Sequence, residues 1–253
     1  WWSDERLRRP ISVARNRDTG TVYVSDRDAN PLGLNQATGC VMAVPRLADG
    51  TELGLPGVAT LAGAGPALVT PGPVVVMDDG LLLLMDADAN PNEVLFEDGR
   101  RGTPGVLFRV LQEGLQVELE PRDTVSPIGF ILGEKGELFV IDANKGQRRG
   151  VMGDGAVFRR SGDSLQLVVD SVQQKLPRAM VDPAGGDTLA DGRLVIADAN
   201  IDPLNLGEDG TGKGVYGTGP GAVLVVDPAQ ATVDTLIADE RFVMPLTVRR
   251  VRP

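Results

Sequence analysis

Four short runs of oxygen-bearing side chains recur along the chain, each directly after an apolar run. Asp86, Asp88 and Asn90 follow Leu81 to Met85, and Asp26, Asp28 and Asn30 follow Val22 to Ser25. Asp142 and Asn144 follow Leu138 to Ile141, and Asp198, Asn200 and Asp202 follow Leu194 to Ala197. Oxygen ligands on alternate residues of a tight loop can converge on one hard cation. Calcium loops use this spacing, with ligands near positions 1, 3, 5, 7, 9 and 12 and a bidentate acid last. Counted from Asp86, the series reads Asp88, Asn90, Asn92 and, at the twelfth place, Glu97. Counted from Asp198 it reads Asn200, Asp202 and, at the twelfth place, Asp209. The first copy has Ala37 at that place, and the third has Gly146 fifth and Asp154 one place late. The second and fourth loops are therefore the stronger candidates. Pro91 and Pro203 stand where an EF-hand loop needs glycine, so this would be a strand-borne calcium loop and not an EF-hand.

A second reading of the same residues is structural. Asp and Asn at strand ends can cap turns by accepting hydrogen bonds from nearby backbone N–H groups. Recurrence in phase favours metal, because closely packed carboxylates repel one another and a divalent cation relieves that repulsion. Calcium (Ca2+) suits the site better than magnesium, since the ligands are numerous, all oxygen, and carried on loops.

The elements that position these residues also repeat. The first aspartates, Asp26, Asp86, Asp142 and Asp198, are 60, 56 and 56 residues apart. Each repeat reads as four strands: a proline-led run, then after a Gly/Asp turn the apolar run into the acidic motif, a run opening on Gly, and a closing run. The proline-led runs are Ile11 to Ala14, Val74 to Met77, Ile128 to Ile131 and Ala179 to Val181. The runs opening on glycine begin at Gly39, Gly105, Gly155 and Gly221. The closing runs are Gly57 to Leu61, Leu115 to Leu119, Leu165 to Val169 and Thr232 to Ile237. Tandem four-stranded units of roughly 40–60 residues point to an all-β protein, a β-propeller of antiparallel blades with the first strand innermost. Four blades are clear as one domain over 1–253, with repeats at 8–63, 64–124, 125–175 and 176–243. Residues 244–253 form a surplus strand that closes a blade, giving four to five in all, or is donated to another molecule.

Tyr23-Val24-Ser25-Asp26, Phe139-Val140-Ile141-Asp142 and Val195-Ile196-Ala197-Asp198, each after a proline-led strand and a glycine turn, resemble the blades of NHL-repeat propellers. They are similar also to the wider group that includes gluconolactonase and the senescence-marker-protein lactonases. The resemblance implies a propeller and, as one outcome, metal-dependent lactone hydrolysis. The metal-binding Glu of an early strand in that group has no match here.

Composition narrows the function. The chain of 253 residues has a net charge of −10, which argues against nucleic-acid and anionic-membrane partners because both need basic patches. With no histidine, Ser-His-Asp and Cys-His catalysis and His-ligated zinc are excluded. The single cysteine, Cys40, lies in an apolar run and reads as a buried small hydrophobe. No apolar run is long enough for a membrane span. The resulting expectation is a calcium-binding, non-enzymatic propeller in an extracellular or periplasmic setting. It would serve a protein partner or self-associate through its terminal strand. A lactonase-type hydrolase is the alternative.

Overall fold

The computed structural model describes residues 7–29, 39–45, 60–64, 68–89, 94–95, 101–102, 105–111, 114–120, 124, 126–143, 155–170, 180, 182–199, 220–243 and 247–248. Within them the chain is all-β and contains no helix, so no helix there is long and apolar enough to cross a membrane. It divides into two compact units, one of Trp1–Glu93 with Thr103–Pro121, the other of Val94–Gly102 with Arg122–Pro253.

The first unit holds two four-stranded antiparallel sheets. One runs in chain order: β1 (Pro10–Arg15), β2 (Val22–Asp26), β3 (Cys40–Val44) and β4 (Thr60–Ala64). The other uses β5 (Pro71–Val76) and β6 (Leu82–Asp86). After a two-stranded ribbon that belongs to the second unit, β7 (Val94–Leu95) with β8 (Arg101–Gly102), the chain returns to this sheet with β9 (Val106–Leu111) and β10 (Gly114–Leu119). Its order is β10-β9-β6-β5, the same meander with the ribbon lying in the connection. The first strands of the two sheets pack beside each other, and the Val74 N–H reaches the Ser12 hydroxyl at 3.3 Å. Leu68, Val41, Leu84 and Phe108 are central to the apolar core between the sheets.

The second unit repeats the arrangement. Its sheets are β11 (Pro127–Leu132), β12 (Leu138–Asp142), β13 (Ala156–Ser161) and β14 (Ser164–Asp170), then β15 (Pro183–Thr188), β16 (Leu194–Asp198), β17 (Pro220–Asp227) and β18 (Thr232–Val243). The first strands again lie together, and the Thr188 hydroxyl donates to the Leu132 carbonyl at 2.9 Å. The core between them includes Ile131, Phe139, Ile141, Leu194 and Ile196.

Burial along the strands explains their sequences. β6, β12 and β16 are buried at every residue, so they read as unbroken apolar runs. The fourth strands β10 and β14 instead mix exposed, half-buried and buried positions. Glycines at the hairpins between first and second strands, Gly80 at φ 82° and Gly136 at φ 76°, supply the left-handed conformation that the tight turns require.

One strand lies where the sequence pattern does not put it. The first strand of the fourth repeat is Pro183–Thr188 and not Ala179 to Val181. Met180 is a buried loop residue at φ 42°, and Ala179 and Val181 lie outside the described residues. Pro-Ala-Gly-Gly-Asp-Thr has little β propensity, so it reads as a turn. Crowding accounts for one of its glycines. A Cβ on Gly186 would run into the Val195 carbonyl oxygen and lie 2.7 Å from Ile131 Cδ1. In the first repeat the fourth strand begins at Thr60, at the end of the run expected for it. Among the described residues no strand follows β18. Thr247 and Val248 are in no strand, and Val248 packs on Val195, Val223 and Val225 of its own unit.

Candidate functional site at the acidic strand ends

Each acidic motif begins at the last residue of a second strand, and each first strand begins with proline. The two ends are paired: Pro10 with Asp26, Pro71 with Asp86, Pro127 with Asp142 and Pro183 with Asp198. Proline has no N–H, so the antiparallel ladder lacks a donor at that position. In all four repeats the residue before the proline sends its N–H to the carboxylate of the paired aspartate. Arg9 reaches Asp26 Oδ2 at 2.8 Å, and Thr70 reaches Asp86 Oδ1 at 2.9 Å and Oδ2 at 3.0 Å. Ser126 reaches Asp142 Oδ1 and Asp182 reaches Asp198 Oδ1, both at 3.1 Å. In three repeats the residue after the aspartate returns a bond to the carbonyl of that same donor residue: Arg27 to Arg9, Ala143 to Ser126 and Ala199 to Asp182, each at 3.0 Å.

Asp26 and Asp86 accept from further donors as well. Asp26 Oδ2 also accepts from the Arg8 N–H at 2.7 Å, and its Oδ1 from the Asp28 N–H at 2.9 Å. Asp86 Oδ2 accepts from the Val69 N–H at 2.7 Å, and its Oδ1 from the Asp88 N–H at 3.0 Å. All four aspartates are fully buried. A buried carboxylate without donors is costly, and backbone N–H groups aimed at it are the compensation the fold provides. For Asp86, burial outweighs them: it lifts the carboxyl above its ordinary range, against the opposing pull of the Thr70, Asp88 and Val69 N–H groups. The neighbouring Asp88 charge adds to the rise.

A second repeated feature sits two residues before each of these donors. Leu68, Thr124 and Met180 are each fully buried, 56 residues apart, and in the first copy Leu7 packs against Cys40, Met42 and Val44. The signal for this frame is in the sequence: Pro71, Pro127 and Pro183 each stand 15 residues before their aspartate. The glycines that open third strands serve the same corner. A Cβ on Gly39 would collide with the Pro71 ring, and one on Gly155 with the Pro183 ring, where the next sheet begins.

Of the proposed metal ligands, Asp26, Asp86, Asp142 and Asp198 thus lie at these buried corners, while Asp28 and Asp88 are exposed two residues further on. Arg9 approaches Asp28 at 3.9 Å, a solvent-screened pair of little energetic weight. Asn30, Asn90, Asn92, Glu97, Asn144, Asn200, Asp202 and Asp209 lie outside the described residues. Among the described residues no three His, Cys, Asp or Glu side chains come together as a metal-holding group. The chemistry at the corners is that of a repeated polar clasp.

Repeated four-stranded antiparallel sheets with first strands packed side by side are the blades of a β-propeller, and the solved structures of similar fold are propellers. The chain aligns with a gluconolactonase-like protein at 14% identity and a TM-score of 0.51, over 92% of this chain and 64% of that one. It aligns with a chain of a nidogen–laminin complex at 14% identity and a TM-score of 0.50, over 89% and 79%. A protein of unknown function from Dyadobacter fermentans gives 11% identity and a TM-score of 0.55, over 92% and 70%. The chain thus spans about two thirds to four fifths of the lengths of these neighbours, 64% in the gluconolactonase-like case. Its fold is that of the gluconolactonase-like and NHL-type propellers. No protein-family model and no curated protein sequence matches it.

Proposed function

We propose that the chain is a non-enzymatic binding module on a propeller frame, for a protein partner in an extracellular or periplasmic setting. The observation that carries this reading is the shared task of Asp26, Asp86, Asp142 and Asp198. In each repeat the same carboxylate binds the N–H before the first-strand proline. An enzyme gathers unlike groups from several blades at one centre, whereas here one group does one architectural task in every blade. What differs between repeats is the connection after the aspartate, at 27–39, 87–105, 143–155 and 199–219, and variable loops on a rigid frame are the usual carriers of recognition. The nidogen–laminin neighbour is a propeller-containing complex of two proteins, which supports the same class of role.

Calcium belongs to this proposal as a loop ligand and not as a support of the frame. Asp88, Asn90, Asn92 and Glu97 would hold one ion, and Asn200, Asp202 and Asp209 another, with weaker sets at Asp28 with Asn30 and at Asn144. Calcium-dependent loops suit a setting where free calcium is plentiful, which is the ground for the setting outside the cytoplasm. The test is calorimetric titration with calcium, together with limited proteolysis and a lactone panel, each with and without EDTA. Heat of binding and calcium-dependent protection of the loops are expected. Absence of both would remove calcium from the reading, and EDTA-sensitive lactone turnover would replace the binding module with the hydrolase.

A further inference from the structure

We propose that the corner built on Asp26 is a carboxylate-binding site for an acidic segment of a partner protein; this rests on the binding-module reading and names the chemistry of its partner. Arg8, Arg9 and Arg27, all in the first unit, surround that corner. The Arg8 and Arg9 N–H groups meet on Asp26 Oδ2 at 2.7 and 2.8 Å, and the Arg27 N–H binds the Arg9 carbonyl at 3.0 Å. Three arginine side chains therefore start from one stretch of backbone that hydrogen bonds already hold in place. The other repeats show that the clasp does not need their charge. At the matching places they carry Val69, Val125 and Val181, then Thr70, Ser126 and Asp182, then Ala87, Ala143 and Ala199. Thr70, Ser126 and Asp182 bind their aspartates through the same backbone N–H, and Ala143 and Ala199 return the same bond. Arginine at all three places of one repeat is thus in excess of what the fold requires.

Little in the corner neutralises these cations. Asp26 is fully buried, and backbone N–H groups occupy both its oxygens. Asp28 approaches Arg9 at 3.9 Å, and Arg27 Nη2 donates to the Thr70 hydroxyl over a long 3.4 Å. Among the described residues no acid pairs with Arg8 or Arg27. Arg8 and Arg9 are exposed and Arg27 is half-buried. A guanidinium presents a fixed fork of donors that matches a carboxylate, and a backbone fixed in advance lowers the entropy cost of binding one. A protein segment fits better than a polyanion. Nucleic acids and anionic membranes need a broad basic surface, whereas this chain carries −10 and its cationic corner is local. Val69, beside the Thr70 that Arg27 reaches, is 48% exposed, and arginine next to apolar surface is common in protein interfaces.

Fluorescence anisotropy with a labelled oligoglutamate peptide tests this on the full chain, with an oligoglutamine peptide as the uncharged control. Saturable binding of the acidic peptide alone, weaker at high salt, is expected. Arg8→Val, Arg9→Thr and Arg27→Ala together give the first corner the side chains that the second already carries. This triple variant should keep the parent melting temperature and weaken binding by about tenfold or more, and each single change by roughly two- to fivefold. Arg8→Val alone, at an exposed position, carries the test if the triple variant melts early. Arg15→Ala with Arg17→Ala removes two exposed arginines at the far end of β1 and should bind like the parent. A parent that binds neither peptide overturns the proposal, as do corner variants that bind like the parent or an equal loss in the Arg15 and Arg17 variant. Heparin bound more tightly than the peptide, and lost in the triple variant, would reassign the corner to polyanions and overturn it too. The binding-module reading survives these outcomes, since it rests on the loops; EDTA-sensitive lactone turnover would sink that reading and leave the peptide result standing.

Discussion

Thr70 and Asp86 stand 16 residues apart, yet the Thr70 N–H lies 2.9 and 3.0 Å from the two carboxylate oxygens of Asp86. Pro71, the next residue, pairs with Asp86 across the strands and cannot donate. The carboxylate thus replaces a ladder bond that proline removes, and the Val69 and Asp88 N–H groups bind it as well. Asp86→Ala would leave the N–H of half-buried Thr70 and those of the exposed Val69 and Asp88 without this acceptor. At roughly 1–3 kcal/mol for a buried unsatisfied group, and less where water can reach the donor, a loss of about 2 kcal/mol is expected from urea unfolding. That is a large share of the 5–15 kcal/mol typical of a domain. Asp88→Ala, at an exposed position, should change the same midpoint by under about 0.5 kcal/mol. Equal losses in the two variants would contradict the clasp.

The Asp86 carboxyl also has a pH signature. Burial raises it above the ordinary value of about 3.9, so between those two values the folded chain holds more proton than the unfolded one. Its contribution to stability is therefore greatest at low pH and declines as pH rises through the raised folded-state value. Asp86→Asn removes the titration while keeping the shape. The stability of the parent minus that of Asp86→Asn should fall with rising pH across this window and then level off. A difference that grows with pH would mean that the N–H groups outweigh burial.

The fold was legible because each second strand is buried along its whole length and ends in a carboxylate, which made the 56-residue spacing of Asp86, Asp142 and Asp198 visible. The phase of the first strands was harder to read. Pro73 and Pro177 compete in the sequence with Pro71 and Pro183, and β15, Pro-Ala-Gly-Gly-Asp-Thr with its crowded Gly186, carries no hydrophobic pattern. The role of the motif was ambiguous for a chemical reason. An aspartate that accepts backbone N–H bonds at a strand end and one that opens a calcium loop have the same sequence signature; only burial and donor geometry separate Asp86 from Asp88. The chain-distant donors Ser126 and Asp182 give no local pattern at all.

Close packing at the corners makes glycine replacements informative. A Cβ on Gly155 would overlap the Pro183 ring and lie 3.0 Å from Met180 Cβ, whose backbone already sits at a positive φ. Gly155→Ala should lower stability by roughly 1–3 kcal/mol through overpacking, as should Gly186→Ala, where the obstacle is the Val195 carbonyl. Gly162→Ala is the control for backbone conformation alone: φ is 60° there, and nothing stands within 4 Å of the added Cβ. Its cost should be about 1 kcal/mol, from the left-handed conformation only. Chemical unfolding midpoints of the three variants measure the order.

Separate tasks for neighbouring carboxylates lead to opposite calcium responses. Asp86 is buried and bound by backbone N–H groups on both oxygens, so its removal should lower the melting temperature with or without calcium. Asp88 is exposed at the start of the loop that continues to Asn90, Asn92 and Glu97. Asp88→Asn removes one carboxylate from the proposed ligand set; it should weaken calcium binding by roughly tenfold while leaving the calcium-free melting temperature unchanged, because ligand charge tunes such sites. Calcium stabilises only the state that binds it, so the shift in melting temperature on adding calcium should shrink in Asp88→Asn and persist in Asp142→Ala, whose corner lies in another repeat. Differential scanning calorimetry with EDTA and with excess calcium reads all of these. If Asp88→Asn lowered the EDTA melting temperature as much as Asp86→Ala, the two carboxylates would share one structural task and the loop site would lose its basis.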